Sequence, residues 1–283
     1  MSVYALPVLF TLFVWWFSTG VVLIIGGLPR RASGWSMSGA TVVLFGALCG
    51  LAASGNDTSV AGAYCAFACA VLVWAWQEIG FLLGYVTGPR QTTCPPGARG
   101  WRRAGYALQT ILYHELALIA LACAVVALTW NGANHVGTWT FMILWAMRQS
   151  AKLNLFLGVR NLSEEFLPLR LRYFESYFTR KPMNVFLPVS VIVSTIVTVI
   201  VWKRAILAGT EAAATGYTFM GTLLALGIVE HLFLVMPLPA TPLWRWSLRS
   251  RADEHLARAP VDLPAPVVVA NVGEALRAIT RKG

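Results

Sequence analysis

The sequence predicts an all-α, polytopic membrane bundle, and three observations predict it. The 283 residues are 57% hydrophobic and only 12% charged, with a mean hydropathy of +0.65, a composition that cannot cover a soluble domain with polar surface. Apolar runs recur seven times, each near the ~20 residues that a bilayer-spanning helix needs. Lysine and arginine concentrate in alternate connections, as they do where positive residues collect on the cytoplasmic side. The net charge of +10 is thus a topology signal. It implies a lipid bilayer as partner and no nucleic acid.

The runs are Val3–Gly26, Ser36–Gly55, Val60–Val86, Ala104–Trp130, Gly137–Val159, Val185–Trp202 and Ala212–Met236. The first has no basic region before it and no small-residue cleavage site after it, so it reads as a retained helix, with Trp15 and Trp16 as packing or interfacial residues. The third ends at Thr87-Gly88-Pro89-Arg90, where proline removes a donor and restricts its predecessor. Between the fifth and sixth runs, about residues 160–184, Phe166, Leu169, Tyr173, Phe174 and Tyr177 alternate with Arg170, Arg172, Arg180 and Lys181. This pattern predicts an amphipathic segment at the headgroups. Residues 1–237 form the bundle on this reading. Residues 238–283, rich in proline and arginine, form a partly flexible cytoplasmic tail in which Val267–Lys282 is a candidate peripheral helix.

The connections set the expected orientation. Those after the first, third and fifth runs hold Arg30 and Arg31; Arg90, Arg99, Arg102 and Arg103; and Arg160, Arg170, Arg172, Arg180 and Lys181. The tail adds seven more basic residues from Arg245 to Lys282, against only Lys203 and Arg204 in the alternate connections. The N-terminus is expected outside and the C-terminus in the cytoplasm. Of the five cysteines, Cys49, Cys65, Cys69 and Cys123 lie in apolar runs and Cys94 in a basic loop, without a CxxC, so no disulfide framework is implied.

Polar residues inside the runs are the candidate functional centre, because an ionisable group in the bilayer costs at least ~2.5 kcal/mol and needs a partner. They are Trp76-Gln77-Glu78, His114-Glu115 and Glu230-His231. At helical rise, Glu78, His114 and Glu230 all fall roughly 9–15 Å below the expected cytoplasmic face. The fifth run adds Arg148 and Lys152, four apart and therefore on one face, with Asn154 following. The plainest reading is an internal ion network. A sharper one is a metal site made by Glu78, His114, Glu115, Glu230 and His231, since bundles hold transition-metal ions with carboxylates and histidines from several helices. The Glu-x-x-His spacing of such sites is missing, and adjacent His114-Glu115 or Glu230-His231 point about 100° apart. A magnesium chlorin asks for less. His114 or His231 would be its axial ligand, Glu230 or Glu115 would orient the opposite imidazole in crossed pairs, and Arg148 or Lys152 would hold a tetrapyrrole propionate. No inverted repeat or broken helix pair suggests a transporter.

Several stretches resemble a known family. Trp76-Gln77-Glu78-Ile79-Gly80-Phe81-Leu82-Leu83-Gly84-Tyr85, Thr87-Gly88-Pro89-Arg90, Cys94-Pro95 and His114-Glu115-Leu116-Ala117 are similar to the PuhE family of photosynthetic complex assembly proteins. So are Met147-Arg148-Gln149-Ser150-Ala151-Lys152-Leu153-Asn154, Gly158-Val159-Arg160-Asn161 and Glu164-Glu165-Phe166-Leu167-Pro168. The resemblance implies the inner, photosynthetic intracytoplasmic membrane of an anoxygenic phototroph. It implies a factor for assembly of the reaction centre and light-harvesting complex, handling bacteriochlorophyll, its precursor or an assembling subunit. Complex subunits or pigment-biosynthesis proteins would be its partners. The competing expectation is a membrane metalloenzyme acting on a tetrapyrrole or lipophilic substrate. The family assigns no catalytic residue.

Overall fold

The computed structural model describes residues 3–162, 164–236 and 241–247. Within these, seven α-helices follow the seven apolar runs: α1 (Ala5–Gly26), α2 (Arg30–Ser54), α3 (Val60–Leu82), α4 (Gly100–Thr129), α5 (Val136–Leu157), α6 (Phe186–Ile206) and α7 (Glu211–Phe233). Six are long and apolar enough to cross a membrane, and α5 is the exception. Its 22 residues have the length, but Arg148, Gln149, Lys152 and Asn154 lower its hydropathy. The chain is a multi-pass membrane protein with six candidate spans.

Helices α3, α5 and α7 pack on one another at the centre, with α1 against α3 and α7, α2 against α3 and α4, α4 against α5 and α3, and α6 against α7 and α5. Close approach uses small residues, because lipid supplies no hydrophobic drive between helices and packing must do the work. A β-carbon at Gly221 of α7 would come within 2.8 Å of Trp202 Nε1, and one at Gly227 within 2.6 Å of Met147 Cε. Away from the basic connections, Phe10, Tyr64, Phe67 and Phe219 join α1, α3 and α7, the last two stacked at 4.3 Å.

Four boundaries differ from the sequence expectation by four residues or more, one of them the start of α4, at Gly100 rather than Ala104, which puts Arg102 and Arg103 in its first turn and not in a loop. Helix α2 starts at Arg30 rather than Ser36, because Pro29 with φ −63° is a ready-made helix entry. Helix α3 stops at Leu82 rather than Val86, since Gly84 takes φ +81° and turns the chain. Helix α6 continues to Ile206, so Lys203 and Arg204 occupy its last turn and not a loop. Beyond Gly84, the chain folds back on α4: the His114 N–H donates to Thr87 O at 2.9 Å and the Arg90 N–H to Gln109 O at 3.3 Å. Gly88 permits this, since a β-carbon there would overlap the α4 backbone at Gln109 and Thr110.

The connection between α5 and α6 contains short 3-10 turns, Glu164–Phe166 and Leu169–Tyr177. With three residues per turn, Leu171, Phe174 and Tyr177 line up on one side and are buried. This segment and its flanks cap the helices that end at the basic side, whose last carbonyls lack intrahelical donors. Arg170 donates to Gly26 O of α1 (2.6 Å) and to Leu83 O beyond α3 (3.3 Å), and Asn161 to Phe233 O of α7 (2.6 Å). Arg103 reaches across from α4 to Phe156 O of α5 (3.2 Å). Asn184 accepts from the N–H groups of Phe186 and Leu187, capping α6, and donates to Gly158 O and Asn154 Oδ1.

Of the region expected to be a tail, residues 241–247 lie on α1. Trp16 Nε1 donates to Leu243 O (2.9 Å), and Trp244 Nε1 returns a bond to Trp16 O (3.0 Å). The proposed helix at Val267–Lys282 falls outside the described residues.

Candidate functional site

Helix α5 is the hub of the polar layer. Positions 148 and 152 share a face by helical period, and the structure points each at a different neighbour. Arg148 Nη2 lies 3.2 Å from Glu78 Oε2 of α3, and Lys152 Nζ lies 2.7 Å from Glu115 Oε1 of α4. Gln149 also donates to Glu115 Oε2, and Gln77 Nε2 to Glu78 Oε1 at 3.2 Å. The side chains of Lys152 and Glu115 are 21% and 16% exposed, against 42% for Arg148. Lys152–Glu115 is therefore the better sheltered pair, and its attraction is the less screened.

Glu230, on α7, has no cation within ion-pair distance among the described residues. Its Oε1 accepts from Trp15 Nε1 of α1 at 2.7 Å, and Arg148 and Glu78 are near enough to act on it electrostatically. Trp15, read from sequence as a packing or interfacial residue, is thus a polar partner of the layer. An indole and an acid 215 residues apart leave no sequence signal of their pairing.

The two histidines behave differently. His231 is buried with both ring nitrogens engaged: Nδ1 donates to Gly227 O (2.7 Å), one turn back, and Nε2 accepts from Ser150 Oγ (2.8 Å). Because the carbonyl can only accept, the proton sits on Nδ1. His114 is 1% exposed, its ring 4.7 Å from that of Phe81, and its Nδ1 has no hydrogen-bond partner. Asn154, fully buried, donates to Ser150 O and Ser190 Oγ.

The layer therefore gathers residues of α1, α3, α4, α5 and α7, but as separate pairs. The crossed pairs of His114 with Glu230 and of His231 with Glu115 do not form: Glu230 meets Trp15 of α1, while α5 takes up His231 through Ser150 and Glu115 through Lys152. Among the described residues, no three His, Cys, Asp or Glu side chains come together to hold a metal ion. As packed, His231 has both ring nitrogens engaged, whereas His114 keeps Nδ1 without a hydrogen-bond partner, its ring 4.7 Å from that of Phe81. Arg148 and Lys152, expected to hold a propionate, face carboxylates of the chain itself.

Residues 1–255 match a family described as a protein of unknown function, DUF3623. The chain belongs to the DUF3623 family. It is 42% identical over 252 residues, 88% of its own length and 92% of the relative's, to a Rhodobacter capsulatus protein described as an uncharacterized 30.4 kDa protein in the puhA 5′ region. No solved structure matches. This DUF3623 protein uses, besides the acids and bases legible in its sequence, Gln77, Gln149, Ser150 and Asn154. Each is a neutral side chain next to a charged or buried polar one; Gln77 adjoins Glu78, and the run Arg148-Gln149-Ser150-Ala151-Lys152-Leu153-Asn154 was the signal for the other three.

Proposed function

We propose that this protein is a PuhE-type factor of the inner, photosynthetic membrane, serving assembly of the reaction centre and light-harvesting complex by holding an assembling subunit. The observation that carries this reading is its 42% identity, over nearly the whole of both chains, to a protein in the puhA 5′ region; the resemblance of the Trp76–Arg90 and Met147–Asn154 stretches to PuhE agrees with it. The geometry favours a subunit over a pigment as the cargo. His231 has both ring nitrogens engaged and His114 is buried against Phe81, while α6 presents Val189, Ile192, Val193, Ile196 and Ile200 outward as a continuous apolar face, suited to lipid or to a partner's transmembrane helix.

In this reading α5 is a seventh span, its charges tolerated because Glu78 and Glu115 neutralise them inside the bundle. The N-terminus lies outside and the basic connections in the cytoplasm. Reporters fused after Gly283 and within the 131–136 loop should then read cytoplasmic and periplasmic, respectively; a shared side removes α5 as a span.

The functional test is deletion of the gene in its phototrophic host with plasmid complementation. The near-infrared absorption of the membranes and immunoblots of the complex subunits should fall and be restored by the wild-type copy. Unchanged complexes in the deletion strain overturn the proposal. Elemental analysis and an absorption spectrum of the detergent-purified protein separate the metal and pigment alternatives, either of which would show a stoichiometric bound species.

A further inference from the structure

The bundle end opposite the basic connections carries an unexplained pair of cations. The segments joining helices there, residues 55–59, 130–135 and 207–210, contain no lysine or arginine. Lys203 and Arg204 nevertheless sit side by side in the last turn of α6, exposed, and neither makes an ion pair or side-chain hydrogen bond among the described residues. Glu211, in the first turn of α7, is the nearby acid in the sequence and pairs with neither. They border a groove of about 520 Å³ between α6 and α7, walled by Ile200, Leu207, Ala213 and Tyr217.

The placement identifies what such a groove suits. Both α6 and α7 are candidate spans, so their shared turn lies at a bilayer surface. Below the cations, α6 exposes Ile196, Val199 and Ile200, an apolar track running into the hydrocarbon. Above it are two fixed positive charges with no protein anion. A polar head of negative charge joined to an apolar tail matches both halves at once; a free anion matches only the first.

We propose that this groove binds an anionic glycerophospholipid, with its phosphate at Lys203 and Arg204 and an acyl chain along α6. The guanidinium of Arg204 offers a planar fork to phosphate oxygens and the ammonium of Lys203 a compact charge beside it. The bound lipid would fix the α6–α7 hairpin, whose helix α6 has little other protein contact, at the membrane surface. This site is separate from the α5 layer and does not depend on the assembly reading.

The test uses the full chain in nanodiscs of phosphatidylcholine with a minor fraction of phosphatidylglycerol, gently extracted and weighed by native mass spectrometry. Wild type should retain phosphatidylglycerol in preference to phosphatidylcholine. K203Q/R204Q should reduce that preference roughly thirtyfold, as expected for removing two cations at a membrane surface, and K203E/R204E should abolish it. Circular dichroism should show unchanged helix content, since both side chains are exposed. Equal retention of phosphatidylglycerol by wild type and K203Q/R204Q overturns the proposal. So does complete displacement of the lipid by millimolar inorganic phosphate, which would mark a site for the phosphate alone.

Discussion

Helices α5 and α6 are nearly equal in length, 22 and 21 residues, and they occupy opposite environments. Helix α6 has no charged residue before Lys203 and lies at the rim, with about half of its side chains exposed. Helix α5 carries two cations, a glutamine and an asparagine, and lies among α3, α4 and α7. The difference teaches that hydropathy along a helix reports contact with lipid more directly than it reports position in a membrane protein. A helix screened by neighbours can carry charge when each charge meets a partner, whereas the outward face of a rim helix has only hydrocarbon beside it.

The largest expected effect comes from breaking a pair on the sheltered helix. Lys152→Met leaves the Glu115 carboxylate with Gln149 alone, and thermal unfolding in detergent should show a loss of about 3–5 kcal/mol, the usual penalty for stranding one partner of a buried pair. Lys152→Met combined with Glu115→Gln should recover most of that loss. If the double variant is no more stable than the single, the pair is not what holds α4 to α5.

Placing charge on the rim helix is the converse experiment. Ile196→Asp, at an outward position of α6, should cost roughly 2.5–3.5 kcal/mol of insertion free energy, measured as the inserted fraction in a membrane-insertion assay. Insertion equal to wild type would show that α6 is screened by protein in the membrane, most simply by a partner's helix. A smaller loss, about 1–2 kcal/mol, is expected from Asn184→Ala, which removes the cap of α6 and its link to Asn154 of α5. Denaturation should detect it with both helices still formed.

The smallest change is expected at His114. Because its buried Nδ1 has no hydrogen-bond partner, His114→Phe removes an unmatched polar atom, and stability should stay within about 1 kcal/mol of wild type or rise. Immunoblot levels should be normal. If complex assembly nevertheless fails in this variant, the imidazole serves function rather than the fold, and the contrast between structural α5 charges and a functional α4 histidine becomes sharp.

Much of the architecture was legible along the chain. Seven apolar runs became seven helices with ends shifted by a few residues, because bilayer-length apolarity and glycine or proline stops are local properties. The candidate site was legible only as a membership list. Glu78, Glu115, Arg148 and Lys152 do form ion pairs, as the plainest sequence reading expected, but Glu230 found Trp15 and His231 found Ser150. The 160–184 segment showed its amphipathic pattern, while its capping of the ends of α1, α3 and α7 did not show.

By itself, then, the sequence determined that this is a helical multi-pass membrane protein, where its helices run, and which few residues must be paired. Those features follow from transfer free energies that each segment carries wherever it sits. Tertiary structure decided the partners: that α5 stands at the centre, that its charges divide between α3 and α4, that arginines and asparagines near the basic end complete the carbonyls of distant helices, and that Lys203 and Arg204 are left facing a groove. Partnership depends on which helix faces meet and at what height, and that is set by packing all the helices together, a property no single stretch of chain contains.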